Sequence, residues 1–342
     1  MSDCRYFHVE AGKGLRRLAT LAEALATRHA AGYLWVDMLD PTREELDAVA
    51  GPLGIHALAV EDCLDEEQIP KIEDYPGHNL ILFNRYAYVH KELAVEEVDL
   101  LQGRDFLVTV NRRAGAVTVP LEKIEGLAGL DIANVEKGPD FLLHVILDHT
   151  VDGKLATIEA IEDDIEAAEE GMLGGAATFR LEDVMYLRRA LLSLRKSLFH
   201  EREILVKICR KDSPFITEAA IYHFRDIYDH LTKFFEFTEM NRDILTSLTE
   251  TYLSLINNRM ADVANRTNRS VRRLTLITTV FMPLTLLAGI GGMSEWSMMT
   301  GPRNWPLAYP LFIVGLAVIG AVNYVLLRWV ERAKGDRRPD GS

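Results

Sequence analysis

The sequence predicts a water-soluble α/β domain followed by long helices and two C-terminal membrane-spanning helices. Three observations predict it. Two runs carry no charge, the 21 residues between Arg273 and Glu295 and the 24 between Arg303 and Arg328. At ~1.5 Å per residue, either run as a helix crosses a hydrocarbon core ~30 Å thick. Strand-like patterns are confined to the part before Gly138, and everything after it reads as helix. The expected units are residues 1–137 (α/β domain), 138–214 (helical hairpin), 215–273 (stalk helix), 274–294 (first span), 295–303 (outer loop), 304–327 (second span) and 328–342 (basic tail).

Within the first unit, β-rich runs appear at Tyr33–Met38, Asn79–Val89, Val95–Gln102 and Asp105–Val110, separated by Gly, Pro and Asn. Helical patterns lie between them. LRRLATLAEALATRHA is one, and Asp40-Pro41-Thr42-Arg43-Glu44 opens another with Asp40 as the cap and Pro41 in the first turn. Phe141–Met172 is a long helical pattern, Gly174-Gly175 a turn, and Leu181–Arg210 a second helix. A third pattern runs from Ile216 to Gly289 with no proline before Pro283, ~110 Å of helix. A helix of that length needs partner helices, which points to an oligomeric stalk continuous with the first span. Asn258-Arg259-Met260-Ala261-Asp262-Val263 is echoed seven residues on by Asn265-Arg266-Thr267-Asn268-Arg269-Ser270, and a seven-residue step keeps the same helix face.

Arg266, Arg269, Arg272 and Arg273 precede the first span, and Arg328, Arg332, Lys334, Arg337 and Arg338 follow the second. Excess Lys and Arg marks the cytoplasmic side, so both termini are expected in the cytoplasm of a plasma (inner) membrane protein, with the loop outside. MSDCRYFHVEAGKG holds no secretory apolar run, and Cys4, Cys63 and Cys209 have no paired spacing, so reduced thiols are expected. From Arg266 onward there are 10 basic and 4 acidic residues, a net +6, which leaves −19 for residues 1–265. An acidic body repels nucleic acid and gathers cations, so metal ions and lipid, not nucleic acid, are the expected partners. No phosphate-cradling Gly loop, Gly-x-Ser-x-Gly elbow or His-Glu-x-x-His is present, and no enzyme is expected.

On the first span, steps of three and four residues from Asn268 reach Val271, Thr275, Thr278, Met282, Thr285, Gly289 and Gly292, with Leu274 beside the line. Small and hydroxyl residues on one stripe suit either close helix packing or a wet axis. A wet axis needs a ring of copies, because one chain offers one lining helix. The second span is more uniformly apolar and suits lipid. Pro283 frees the carbonyl of Thr279. The acidic segment Ile158–Glu170 spreads its carboxylates around the apolar positions 158, 161 and 165, and reads as a solvated helix face. His223, Asp226 and His230 share a helix face, but the two histidines lie ~10 Å apart along the axis and do not chelate one ion together.

Met282-Pro283-Leu284-Thr285, Ala288-Gly289-Ile290 and Gly292-Met293-Ser294 resemble the end of the first span in the CorA family of divalent-cation channels, whose signature is Gly-Met-Asn. Leu53-Gly54-Ile55-His56, Val60-Glu61-Asp62-Cys63-Leu64-Asp65, Pro70-Lys71-Ile72-Glu73-Asp74-Tyr75, Arg225-Asp226-Ile227-Tyr228-Asp229-His230 and Asn265-Arg266-Thr267-Asn268 are similar to the same family in the same order. The resemblance implies a funnel-shaped homopentamer that passes hydrated Mg²⁺, with Co²⁺ and Ni²⁺, through a central pore. It implies that the first span lines the pore, with Leu274 and Met282 as apolar constrictions and Asn268 and Thr285 as polar rings, and the stripe adds Val271, Thr278 and Gly289 to the expected lining. It implies a selective mouth at Gly292, Met293, Ser294 and Glu295, and a regulatory Mg²⁺ carboxylate at Asp226. The chain departs from the signature at Ser294, whose hydroxyl offers one donor where an amide offers two and an acceptor. Five copies of Glu295 would replace amide recognition with anionic attraction. Zn²⁺ transport, and a non-conducting membrane-tethered sensor, stand as alternatives.

Overall fold

The computed structural model describes residues 3–28, 30–65, 68–89, 91–112, 121–174, 179–292 and 301–335. The chain divides into two units, Met1–Thr251 and Tyr252–Ser342.

The first unit is built on a seven-stranded sheet in the order β2-β1-β3-β7-β6-β5-β4. Its strands are β1 (Asp3–Glu10), β2 (Gly14–Leu18), β3 (Tyr33–Leu39), β4 (Ile72–Asp74), β5 (Asn79–Val89), β6 (Glu92–Gln102) and β7 (Phe106–Asn111). Only the central pair, β3 and β7, runs parallel; every other neighbour pair is antiparallel. Pleat alternation sends Leu34, Val36, Met38, Leu80, Leu82, Val108 and Val110 to one face, where α1 (Leu21–Thr27), α2 (Arg43–Leu53) and α3 (Ala57–Asp62) cover them with Ala24, Leu46, Val49 and Val60. The opposite face carries α6 (Pro139–Leu173), reached through α4 (Leu121–Leu130) and α5 (Ile132–Val135). With helices on both faces, β3, β5 and β7 read as near-continuous apolar runs, which is why they were legible as strands.

Two local expectations are corrected. LRRL belongs to β2 and not to a helix; Arg16 and Arg17 sit on an exposed sheet-edge strand, and helix begins only at Leu21. The cap of α2 is Thr42, not Asp40. Thr42 Oγ1 accepts from Glu45 N at 3.3 Å while Glu45 Oε2 accepts from Thr42 N at 2.8 Å, a reciprocal capping box; Asp40 lies just before it with φ 47°. One glycine is obligatory: at Gly32 (φ 107°) a Cβ would stand 2.0 Å from the Val9 carbonyl oxygen.

Buried polar groups tie the sheet to its helices. Lys154 and Glu201 of α7 (Leu181–Cys209) are both fully buried and paired at 2.8 Å, with Lys154 also donating to the Asn84 carbonyl. Glu201 Oε1 accepts from Asn84 N at 3.1 Å and from Ser197 Oγ at 3.0 Å. Between β3, β5, β6 and β7, Asp37 accepts from Thr109 Oγ1 and Asn111 Nδ2, and Arg85 pairs with Glu96 at 2.9 Å. Burial pushes the Asp37 carboxyl up to about 7 despite the Thr109 hydrogen bond and Arg5 and Arg85.

The helix α8 runs from Glu218 to Gly291, 74 residues. Within the first unit its buried positions are Ala220, Ile221, Phe224, Ile227, Leu231, Phe234, Thr238, Asn241, Leu245 and Leu248, which apart from Ile221 alternate in steps of four and three. That heptad spacing is a coiled-coil seam against the unit's own helices. The second unit holds the rest of α8, a short 3-10 turn (Pro302–Asn304) and α9 (Trp305–Gly335). The helix α9 runs on through Arg328, Arg332 and Lys334, so the basic segment begins as helix.

Candidate functional sites

The first span is the part of α8 beyond Arg273. Leu276, Val280, Pro283, Leu284 and Leu287 are partly covered, and Gly291 is buried. On α9 the partly covered residues are Ala308, Phe312, Leu316, Gly320, Asn323 and Leu327. These two stripes face each other. A Cβ on Gly291 would meet the Phe312 ring at 2.4 Å, and one on Gly320 would meet Leu284 Cδ1 at 3.2 Å. The glycines are what let the two helices approach.

At ~100° per residue, the stripe Asn268, Val271, Leu274, Thr278, Met282, Thr285 and Gly289 lies on the side of α8 away from α9. Val271 is 55%, Leu274 65% and Met282 71% exposed, and a Cβ on Gly289 would meet nothing within 4 Å. The hydroxyl protons on this side are spent within the helix. Thr278 Oγ1 donates to Leu274 O at 2.9 Å and Thr285 Oγ1 to Phe281 O at 2.8 Å, as Thr275 and Thr279 do to Val271 and Thr275. Each such hydroxyl is left with acceptor lone pairs only. Gly292 ends the helix, its N–H donating to Ala288 O at 3.0 Å. Met293, Ser294 and Glu295 lie outside the described residues.

A second cluster lies in the first unit, between α6 and α8. Asp140 Oδ2 accepts from Thr217 N at 2.9 Å and from Thr217 Oγ1 at 2.6 Å, which ties the entry of α8 to the start of α6. With the two helices fixed there, Asp148 and Asp152 on α6 come together with His230 on α8, and their ligand atoms all lie within 4.8 Å of one another. His230 Nδ1 is buried with no hydrogen-bond partner among the described residues. Burial first, then Asp152, holds Asp148 above the usual carboxylate range, with His230 opposing and Asp226 adding to the rise. One turn before His230, Asp226 is exposed. His223 goes elsewhere: its ring lies 4.9 Å from that of His144 and 5.5 Å from that of Phe141. Burial and the neighbouring His223 hold His144 down at about 4.

The two histidines of the predicted face therefore have different neighbours. Asp148 and Asp152 were missed. Their signal was an i, i+4 carboxylate pair on α6, but nothing in a linear reading links it to His230 across 78 residues. Two carboxylates and an imidazole suit a borderline ion such as Co²⁺, Ni²⁺ or Zn²⁺ by direct ligation, and Mg²⁺ through its waters. The acids of Ile158–Glu170 surround the buried Ile158, Ile161 and Ile165, with Asp164 accepting from the Tyr88 hydroxyl at 2.7 Å.

The molecule so described is a membrane protein with a large N-terminal α/β unit, one long helix and two C-terminal apolar helices. The model of the CorA-like Mg²⁺ transporter family matches residues 30–332, and the chain belongs to that family. It is 32% identical over 305 residues to the cobalt/magnesium transport protein CorA of Thermotoga maritima, covering 88% of this chain and 82% of that one. It is also 32% identical over 298 residues to the putative metal ion transporter YfjQ of Bacillus subtilis, covering 87% and 88%. The complete structure of the CorA magnesium transporter from Methanocaldococcus jannaschii superposes with a TM-score of 0.68 over 95% of this chain and 97% of that one, at 24% identity, a likeness of fold.

Proposed function

We propose that the protein passes divalent cations, Mg²⁺ with Co²⁺ and Ni²⁺, through a central pore formed by five copies in the plasma (inner) membrane, with both termini in the cytoplasm. One observation carries this reading. The stripe from Asn268 to Gly289 lies opposite the seam with α9, so it is left for other copies of α8, and its threonine hydroxyls present acceptors only. A hydrated cation turns water hydrogens outward, and acceptor oxygens are what those hydrogens need. Leu274 and Met282 then form apolar rings that close by dewetting, and Gly292, Met293, Ser294 and Glu295 form the outer mouth. Flux of Mg²⁺, Co²⁺, Ni²⁺ and Zn²⁺ into liposomes, with and without a pH gradient, tests it. No flux of any ion leaves the non-conducting sensor, and native mass spectrometry showing a stable monomer or dimer removes the pore.

The centre at Asp148, Asp152 and His230, with Asp226 one turn away, supports regulation by cytosolic divalent ions. A metal removes repulsion among these acids and rigidifies the seam between α6 and α8. Asp226→Ala and Asp148→Asn should each weaken metal protection against proteolysis and relieve inhibition by internal Mg²⁺. Because Asp148 binds its proton more tightly than an ordinary carboxylate, metal competes with that proton, and protection should fade as pH falls. Unchanged protection in both variants removes the site.

Zn²⁺ is the second reading, favoured by the imidazole in this donor set and by Ser294 in place of the signature amide. Competition of Zn²⁺ against Mg²⁺ flux decides between them.

A further inference from the structure

The seam between α6 and α8 carries a second group of metal-ligating side chains, one turn nearer its start than Asp148. His144 of α6 and His223 of α8 bring their rings to 4.9 Å between centroids. The ring planes meet at 57°, so the pair is not stacked face to face. Both side chains are half-buried, and neither imidazole makes a hydrogen bond among the described residues. Buried phenyl rings hold them by edge contacts, Phe141 at 5.5 Å from His223 and Phe224 at 5.8 Å from His144. Two imidazoles bring four ring nitrogens, and this packing uses none of them.

The ring spacing is that of two ligands on one ion. With a Zn–N bond of about 2.0–2.1 Å, each ring centroid stands about 3.2 Å from the ion, and a tetrahedral angle sets the two centroids about 5 Å apart. The observed 4.9 Å agrees. No closure of the seam is needed, because Asp140 already ties Thr217 to the start of α6 just before both histidines. The surrounding charge suits a cation. Asp131 and Asp226 both act electrostatically on His144, and Asn134 Nδ2 holds the Asp131 carboxylate at 3.0 Å. An ion here is separate from one at Asp148, Asp152 and His230. His223 and His230 lie seven residues apart, about 10 Å along α8, so one ion does not reach both. The donors differ as well: a pair of imidazoles suits Zn²⁺, Co²⁺ or Ni²⁺, whereas Mg²⁺ takes oxygen ligands.

We propose that His144 and His223 together hold one borderline divalent cation, Zn²⁺, Co²⁺ or Ni²⁺, at a site on the α6–α8 seam distinct from the Asp148 centre. The imidazoles fill two coordination positions, water fills the others, and Asp131 and Asp226 offset the charge. Mg²⁺ is not held here. The site depends neither on the pore reading nor on the regulatory reading of Asp148.

Titration of the full chain in detergent with Co²⁺ under excess Mg²⁺ tests it, read by calorimetry and by the visible spectrum of the bound ion. His144→Phe and His223→Phe should each bind one Co²⁺ fewer per chain than the parent and lose the same part of the spectrum. Asp148→Asn should leave that ion in place. An unchanged count and spectrum in both histidine variants overturns the proposal. A parent that binds no Co²⁺ under excess Mg²⁺ also overturns it, because the site would then prefer oxygen-seeking ions. Loss of the same ion in Asp148→Asn overturns it too, since the two groups would then be one site. Should the phenylalanine variants fail to fold, His144→Gln and His223→Gln replace them. An amide in place of the imidazole should still lose the ion, and its retention overturns the proposal. If Asp148→Asn changes neither the Co²⁺ count nor the metal protection against proteolysis while the histidine variants lose their ion, the regulatory reading fails and this site stands.

Discussion

The two units of this chain solve opposite problems with the same long helix. Up to Leu248 the residues of α8 at steps of four and three are buried against helices of its own chain. From Tyr252 onward the same helix shows exposed residues on nearly every side, Met260, Val263, Val271, Leu274, Ile277 and Met282 among them. In the first unit both sheet faces and the α8 seam are covered from within, and even charges are sealed in pairs such as Lys154 with Glu201, although Leu130, Tyr222 and Phe199 stay exposed. In the second unit only the seam with α9 is covered, and the remaining apolar surface is exposed; in the proposed assembly lipid and other copies cover it. One chain thus buries most of the core of its α/β unit by itself, and in its C-terminal unit covers only the seam between the two apolar helices.

The comparison predicts where a single substitution unfolds the protein and where it does not. Lys154→Met leaves the Glu201 carboxylate buried without its cation, and the Asn84 and Ser197 bonds do not replace a charge. The loss should be about 3–5 kcal/mol of stability in the first unit, read by chemical or thermal unfolding. A loss below about 1 kcal/mol would mean that water reaches Glu201, and that the unit is less sealed than its packing indicates. No single polar substitution in the first-span stripe should cost as much in the isolated subunit, since nothing in the subunit covers it.

Much of this division was legible in the sequence, because it follows from periodicity. The uncharged runs marked both spans, and the apolar runs at Tyr33, Asn79 and Asp105 marked three strands covered on both faces. What escaped has physical reasons. Gly14-Leu15-Arg16-Arg17-Leu18 is an edge strand with a wet side, and it borrowed helical periodicity from the segment that follows. Ile72–Asp74 is too short to show any period. Asp148 and Asp152 become a candidate centre only when Asp140 and Thr217 bring α8 alongside α6, and no local pattern encodes that approach. Asn323 was written into a span described as uniformly apolar, and its place on the seam is visible only once Gly291 and Gly320 set the register.

Within the first span the same comparison can be made two residues apart. A methyl on Gly291 collides with the Phe312 ring, while one on Gly289 meets open space in the subunit. Gly291→Ala should therefore weaken the pairing of the spans, lowering the thermal midpoint by a few degrees, about 1 kcal/mol or more for a forced shift in a packed seam. Gly289→Ala should leave the midpoint unchanged and alter flux, because its methyl points along the proposed pore stripe. If Gly289→Ala lowers the midpoint as much as Gly291→Ala, the stripe is a packing face of the assembled protein and not a wet one.

The smallest effect is expected at the proposed outer mouth, where the resemblance places an amide and this chain has Ser294 followed by Glu295. A ring of carboxylates gathers divalent ions from solution without gripping any one of them, so it raises local concentration more than it discriminates. Such attraction weakens over a Debye length, ~10 Å at 0.1 M salt and ~30 Å at 0.01 M, and vanishes on protonation. Glu295→Gln should then reduce flux chiefly at low ionic strength and low ion concentration, and differ little from the parent at high salt. Ser294→Asn acts on the other quantity. It restores an amide able to hydrogen-bond a hydration shell, so it should sharpen Mg²⁺ over Zn²⁺ with little change in the salt dependence. If Glu295→Gln conducts like the parent at every ionic strength, the carboxylate is an ordinary loop acid, and discrimination rests with Thr285 and Met282 inside the span.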